Sequence, residues 1–512
     1  MKKEGAPRGT WKEIDWMITL VPLVSVIGLC ILFFRMPEQS NEVLSQIRFF
    51  LGDTLGVYYL VIGLGIFLAS LYIAFSKYGD IVLGGQEEKP QYSFFTWGSM
   101  MFTAGLAADI LFYSFSEWIL YAADPHIAQL GSMQTWASVY PIFHWSLIPW
   151  SFYLVLAAAF GFMLHNRNRS RQKFSEACRP ILGKHTDGAA GRLIDLLAVF
   201  ALLAGTATTF SLATPLMANV ICTLFGVNWD RNAVTIVILL LTCLVYTYSL
   251  LHGIKGIGLL AKTCIYLFLT LLGFVLVFGG EAKYIVETGF SALGTMVQHF
   301  FELATFTDPQ RSTSFPQNWT IFYWAYWMVW CIAAPFFIGS ISRGRTIRQT
   351  ILGGYGFGVG STIISFVILG NYSLGKQVSG EMDFLADYLR SGDLYGVIME
   401  MIQTLPWAPF VLGLLLVTMI AFYATSFDAI ALIGACYSYH RLENGAQPHK
   451  MIQLMWCILL ILLPIVLVFS ESSMQNLQSV SIIAAFPIGA VIVFITASFL
   501  KDARGFWKEK TQ

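Results

Sequence analysis

The stretch FYWAYWMVW, residues 322–330, places six aromatic rings in about two and a half helical turns and contains no Lys, Arg, Asp or Glu. Residues i, i+4 and i+7 share one face of a helix, so Tyr323, Trp327 and Trp330 form a stripe, and Tyr326 lies among them in the sequence. Several ring faces together attract an organic cation that has no N–H donors, such as a trimethylammonium group. The stripe therefore predicts one wall of a cation-binding site.

A second aromatic cluster, FHWSLIPWSFY, spans residues 143–153. Trp145, Pro149 and Tyr153 are spaced by four, with Trp150 beside them, and Pro149 is expected to loosen the helix and leave a carbonyl free. Packing, or a belt of rings at the membrane surface, is the alternative interpretation. Belt rings gather at the ends of a span, whereas both clusters lie near the middle of apolar stretches. The second cluster is therefore expected to form the facing wall.

Acidic residues inside apolar stretches point to a further role. Asp109 lies within MFTAGLAADILFYSFSEWILY, residues 101–121, just after Gly105 and a run of small residues that weaken a helix. A charge at mid-membrane costs roughly 2.5–3.5 kcal/mol and marks a functional site by default. A protonated acid, or one bonded to a neighbouring helix, is the alternative. Glu117, two turns further on, is more ambiguous.

A small-cation site is the remaining candidate. Thr425, Ser426 and Asp428 occur together, and hydroxyl groups beside a broken helix can coordinate a cation. They can also bond back to carbonyls of their own helix. Thr208 and Thr209 are weaker candidates. No Cys pair has zinc-site spacing and no hydrolase or metalloprotease motif stands in a plausible setting, so no metal site is assigned and an enzyme is not expected.

The composition places these residues in an all-α integral membrane protein. The 512 residues are 56% hydrophobic and 12% charged, against about 25% charged in soluble domains, and the mean hydropathy is +0.65. A net charge of +1 gives no basic excess for nucleic acid. About 20 apolar residues cross the hydrocarbon core, and twelve such spans are predicted: 16–34, 52–76, 93–121, 136–164, 191–224, 233–251, 259–279, 317–340, 349–373, 406–437, 449–469 and 478–499.

The distribution of positive charge predicts the orientation. With both termini cytoplasmic, the inner segments hold 23 of the 31 Lys and Arg and the outer loops hold seven, as the positive-inside rule requires. The outer segment 280–316 has helical amphipathic spacing and is expected to lie along the outer membrane face. The segment 374–405 is expected to cap the same surface.

Two stretches carry a family resemblance. NWTIFYWAYWMVW and ISRGRTIRQ, within residues 318–349, and FHWSLIPW, residues 143–150, resemble the betaine/choline/carnitine transporters (BCCT), and the resemblance runs end to end. It implies a LeuT-type fold in which spans 3–7 and 8–12 form two inverted five-helix repeats. It also implies a homotrimer surrounded by lipid in a bacterial cytoplasmic membrane, with the outer amphipathic helix contributing contacts.

The resemblance also divides the chain. The implied parts are a cytoplasmic N-terminus with two peripheral helices (1–92), the first repeat (93–279), the outer amphipathic helix (280–316), the second repeat (317–499) and a short cytoplasmic tail (500–512). Osmosensing members have long charged C-terminal extensions, so uptake for nutrition or exchange is expected here more than osmotic regulation.

Site residues follow from the same resemblance. The family's aromatic box maps onto Trp145, Trp150, Tyr153 and Trp327, and Trp330 maps to a further site towards the cytoplasm. The first helix of each repeat is expected to bend near the bilayer centre. Polar backbone at Gly105, Leu106 and Ala107 would then hold a carboxylate or hydroxyl of the substrate. Tyr326 stands where the family pattern has Trp.

Departures from the family pattern bear on coupling. Asp109 occupies the position where proton-coupled choline members have Asp, which favours proton-linked uptake. The Arg that sodium-independent carnitine/γ-butyrobetaine exchangers carry after Lys255-Gly256 is absent. The Thr425-Ser426-x-Asp428 stretch keeps a sodium role open. The expected function is alternating-access transport of carnitine, γ-butyrobetaine, choline or glycine betaine, with H⁺ or Na⁺ as the coupling ion and no cofactor. The alternatives are substrate exchange, sodium symport, sodium-coupled amino-acid transport on the same fold, and a sensor that binds substrate without transporting it.

Overall fold

The structure, a computed structural model, is helical in all its regular elements over the residues it describes, namely 9–104, 108–252, 257–442, 447–470 and 473–511. Within these residues nine helices are long and apolar enough to cross a membrane, and two bent helix pairs raise the number to eleven. The chain is therefore an all-α, multi-pass membrane protein. The count of twelve spans and the inverted repeats stay predictions.

The helices of the predicted spans follow one another in chain order. Their bounds are Trp16–Arg35, Val57–Phe75, Phe94–Thr103, Ala108–Ala122, Met133–His144, Leu147–His165, Ala189–Phe225, Arg231–His252, Ile257–Phe278, Ile321–Trp330, Ala334–Ile341, Ile347–Ser379, Ala408–Tyr437, Lys450–Phe469 and Met474–Thr511. Other helices lie between the spans: Pro37–Arg48, Pro125–Leu130, Ala282–Gln298, Phe300–Thr305, Phe384–Ser391 and Leu394–Gln403. The last long helix continues without a break through the predicted boundary at residue 500.

Two of the predicted spans contribute helices to the candidate site. The span 93–121 is formed by Phe94–Thr103 and by Ala108–Ala122, here called the acidic helix. The span 317–340 runs from Pro316 to Trp330 and then bends by 57° before Ala334–Ile341; its part Ile321–Trp330 is here called the aromatic helix. The bend directly follows Trp330, which the sequence assigns to the site.

The fourth predicted span breaks earlier than its proline suggests. One helix ends at His144 and the next begins at Leu147, so Pro149 lies in a first turn, where its missing N–H has no helical partner to lose. The carbonyl of Trp145, four residues before Pro149, accepts a hydrogen bond from Thr362 Oγ1 at 2.7 Å. The predicted loosening thus occurs at residues 145–146, and the free carbonyl is satisfied by another helix.

Segments predicted to share a side of the membrane contact one another. At one end Arg167, between two spans, pairs with Asp502 of the last helix at 2.9 Å. At the other end Arg231 pairs with Asp393 at 2.6 Å. The amphipathic helix Ala282–Gln298 turns by 112° from the helix that precedes it, as expected for a segment that leaves the membrane-crossing direction.

Close packing beside the 57° bend gives a stability prediction. A Cβ on Gly339 would lie 2.7 Å from Gly161 N and 2.8 Å from Ala157 O, and small residues allow such close helix contact in membranes. Gly339→Ala is expected to lower the thermal midpoint of the purified protein. Gly360→Ala, where a Cβ meets no atom within 4 Å, is expected to be neutral or slightly stabilising because Ala favours helix. Equal midpoints for the two variants would contradict this packing.

Candidate substrate-binding site

Four aromatic side chains lie close together. One comes from the aromatic helix, two come from the helix Leu147–His165, and one comes from the junction that precedes that helix. Trp327 of the aromatic helix has its ring centroid 5.6 Å from Trp145, 5.7 Å from Trp150 and 4.9 Å from Tyr153. Trp150 and Tyr153 are themselves 5.6 Å apart. We call these four residues the aromatic box. The structure thus brings together the residues that the resemblance assigns to substrate binding, with Trp327 in contact with the other three.

The box is closed from solvent and carries unused donors. Its four side chains are each at most 7% exposed. The indole nitrogens Trp150 Nε1 and Trp327 Nε1 have no hydrogen-bond partner among the described residues. Buried polar atoms without partners are rare and indicate a ligand, a water molecule or strain. A wall of ring faces with few acceptors suits a methylated cation better than a primary ammonium group.

The other aromatic candidates lie beside the box. The ring of Tyr323 is 5.9 Å from Trp145 and stacks on His144 at 4.9 Å. Trp330, half-buried, is the last residue of the aromatic helix before the bend and lies next to Gly205. No ring contact joins Trp330 to the box in the part of the chain that the structure describes. Its assignment to an inward route stays a prediction.

Tyr326 has hydrogen-bonded partners on two other helices. Its hydroxyl donates to Asp109 Oδ2 of the acidic helix and also contacts Thr209 Oγ1. Because Tyr326 gives its proton to Asp109, Thr209 must donate to the tyrosine oxygen. Asp109 is 3% exposed, and its Oδ1 has no partner among the described residues. The departures Asp109 and Tyr326 from the family pattern therefore form one hydrogen-bonded pair.

The structure leaves the small-cation site untested. Thr208 Oγ1 donates to the carbonyl of Leu477 at 3.1 Å and lies 2.8 Å from Ser481 Oγ, both in the last helix. Ser426 is half-buried. The described residues contain no group of three or more His, Cys, Asp or Glu placed to hold a metal ion. Outside the described part of the chain lie the side chains of Thr425 and Asp428 and the residues Gly105, Leu106 and Ala107.

The acidic helix holds residues near the box that the sequence analysis did not assign to the site, namely Tyr113, Glu117 and Tyr121. Together with Asp109 they follow one another at intervals of four and so share a face. The ring of Tyr113 is 5.5 Å from Trp145. This spacing was available as a signal, but which helix the face meets depends on tertiary packing.

A cavity of about 700 Å³ lies on the predicted outer side of the box, at the end of the molecule where Arg231 pairs with Asp393. Its lining includes Asp124, Trp319, Tyr395 and Gln478. A row of ring contacts connects its lining residue Tyr395 with the box: Tyr395 with Phe112 at 5.4 Å, Phe112 with Tyr113 at 5.0 Å, and Tyr113 with Trp145 at 5.5 Å.

Comparison with known proteins supports the same interpretation as this geometry. The profile of the BCCT, betaine/carnitine/choline family transporter, matches residues 17–508. The betaine/ectoine transporter LcoP of Corynebacterium glutamicum is 29% identical over 86% of this chain and 70% of its own length. The osmo-dependent choline transporter BetT2 of Acinetobacter baylyi is 26% identical over 98% of this chain and 73% of its own length. The chain therefore belongs to the BCCT family and is a membrane transporter, not an enzyme.

Proposed function

We propose that this protein is a secondary active transporter that takes up trimethylammonium compounds by alternating access. The convergence of Trp145, Trp150 and Tyr153 around Trp327 carries the proposal. Aromatic rings bind a methylated cation without the hydrogen-bond acceptors that a primary ammonium group requires. Choline and glycine betaine are the first candidates, since similar proteins are a choline transporter and a betaine/ectoine transporter. Carnitine and γ-butyrobetaine follow.

The proposed cycle uses the breaks in the helices. Substrate enters the outer cavity, and the row Tyr395, Phe112 and Tyr113 moves aside so that the cation reaches the box. Residues 331–333, at the 57° bend, supply a hinge for the inward opening. Trp330 adjoins that hinge and is the first ring that the leaving substrate meets.

Proton-linked uptake is the coupling that we favour. A buried carboxyl in hydrogen-bond contact with a tyrosine next to the box can bind a proton together with the substrate, and Asp109 with Tyr326 has that arrangement. Exchange of one trimethylammonium compound for another, and sodium symport through Thr425, Ser426 and Asp428, are the alternatives.

Uptake into proteoliposomes tests the proposal and its coupling. Labelled choline, glycine betaine, carnitine and γ-butyrobetaine are each offered with a sodium gradient, with an acidic exterior, or with internal substrate alone. We expect saturable uptake of at least one compound, stimulated by the acidic exterior. Stimulation by internal substrate without any gradient would mean exchange, and stimulation by sodium alone would mean sodium symport. A protein that takes up none of the four compounds would contradict the proposed function.

Assembly is proposed as a homotrimer in a lipid bilayer. The amphipathic helix Ala282–Gln298 exposes Val286, Phe290 and Val297, which are 59%, 80% and 67% accessible, along one apolar stripe. Such a stripe needs lipid or another copy of the chain to cover it. The mass of the protein in lipid nanodiscs, measured by native mass spectrometry, is expected to equal three chains.

A further inference from the structure

Glu117 is a fully buried acid that touches the box from behind. Its side chain is 0% exposed, and Trp145 Nε1 donates to its Oε1 at 2.5 Å. The hydroxyl of Tyr121 donates to its Oε2 at 3.2 Å. Neither the resemblance nor the comparisons assign a role to this residue. Of the three box tryptophans, only Trp145 has a hydrogen-bonded indole N–H among the described residues.

The hydrogen bonds around Glu117 have one consistent direction. An indole N–H only donates, so Oε1 is an acceptor. With the carboxyl group ionised, Tyr121 donates to Oε2 and its oxygen accepts from His144 Nδ1–H at 2.8 Å. A neutral imidazole then accepts at Nε2, where the hydroxyl of Thr320 lies at 3.0 Å. These contacts are compatible with an ionised carboxylate, which is the form that tuning of the indole by charge requires.

A carboxylate bonded to an indole N–H has two effects on the ring. It restricts the orientation of the ring, while Thr362 holds the backbone of Trp145 through its carbonyl. It also draws the N–H proton towards itself and so leaves more negative charge on the ring face. Attraction of a cation to a ring is electrostatic and grows with that charge.

We propose that Glu117 is a positioning residue that tunes Trp145, so that the box distinguishes a cationic trimethylammonium group from an uncharged group of the same shape. The inference rests on the proposed function, since it presumes that the box binds such a cation. It goes beyond that function by assigning the charge selectivity of the box to an acid that acts through one indole.

The test compares ligands that carry a trimethylammonium group with analogues that carry an uncharged group of the same shape in its place. Choline and glycine betaine, and the analogues in which a tert-butyl group replaces trimethylammonium, compete with labelled substrate for the purified protein. Glu117→Gln keeps an acceptor oxygen but removes the charge. We expect it to weaken binding of the cation about fivefold and to change binding of the analogue little. Thr362→Val, which releases the Trp145 backbone without changing charge, is expected to affect both ligands equally.

A double variant shows whether Glu117 acts through the indole. Trp145→Phe lacks the N–H, so adding Glu117→Gln to it is expected to leave the ratio of the two affinities unchanged. A further change of that ratio would mean that the carboxylate acts directly on the ligand, and would overturn the proposal. Equal effects of Glu117→Gln alone on cation and analogue, or no effect, would overturn it too. If the unaltered protein binds none of choline, glycine betaine, carnitine and γ-butyrobetaine, the proposed function fails and not only this role of Glu117.

Discussion

Trp327→Ala is expected to abolish saturable binding and uptake of trimethylammonium substrates while leaving the protein folded. Trp327 is the ring in contact with all three other members of the box. A desolvated cation–ring contact is worth about 2 kcal/mol, so its loss alone weakens binding about 30-fold. Loss of the ring also opens the wall that Trp145, Trp150 and Tyr153 share. Binding of labelled substrate to the purified variant gives the dissociation constant.

Variants at two positions distinguish the contribution of the π face of Trp327 from the contribution of its volume to packing. Trp327→Leu fills part of the volume without a π face and is expected to bind almost as poorly as the Ala variant, whereas Trp327→Phe is expected to retain weakened binding. Trp324→Phe is the matched control. Trp324 is buried in the same helix and its indole N–H also lacks a partner among the described residues, but its ring contacts Phe143 and not the box. Normal uptake by folded Trp327→Ala would refute the box assignment.

The two walls of the box could be predicted because helical periodicity is a local property. Spacings of four and three select Tyr323, Trp327 and Trp330 on one face, and spacings of four relate Trp145 and Tyr153. The structure adds a distinction that spacing cannot make. Trp327 contacts the other wall, whereas Trp330, a further turn along the same stripe, lies at the bend.

The positions of the helix breaks could be predicted only in part from the sequence. Pro149 correctly signalled a disturbed helix, but the break lies at residues 145–146, because a proline excludes helical bonding to the residue four positions earlier and is accepted in a first turn. The bend at residues 331–333 precedes Pro335. Pro335 lies in the first turn of Ala334–Ile341, where proline is favoured, so the start of this helix was indicated in the sequence.

The hydrogen-bonded partners of the acids could not be read from the sequence. Asp109 and Tyr326 are 217 positions apart, and Glu117 and Trp145 are 28 apart. Their contacts depend on where the acidic helix crosses the aromatic helix and the junction at residues 145–146. Composition and periodicity determine which face of a helix is buried, but not which residue of a distant helix it meets.

Asp109→Asn is expected to remove the stimulation of uptake by an acidic exterior while substrate binding is retained within a few-fold. Asn keeps an acceptor oxygen for the Tyr326 hydroxyl but cannot bind and release a proton. If one proton accompanies each substrate, one pH unit raises the accumulation ratio of the unaltered protein about tenfold. The variant is expected to accumulate substrate to the same level with and without the pH gradient.

Tyr326→Phe tests whether the tyrosine hydroxyl takes part in the same proton coupling as Asp109. It removes the group that Asp109 and Thr209 share, and it is expected to weaken the response to the pH gradient without abolishing it, because the carboxyl remains. The two substitutions combined should give no more than Asp109→Asn alone, since groups in one hydrogen-bond network do not act additively. Thr214→Val, in the same helix as Thr209, is the control, because Thr214 Oγ1 contacts the hydroxyl of Tyr423 and not that of Tyr326. If Asp109→Asn keeps a tenfold response to one pH unit, the proton is carried elsewhere, and the Asp109–Tyr326 pair then serves only to hold the acidic and aromatic helices together.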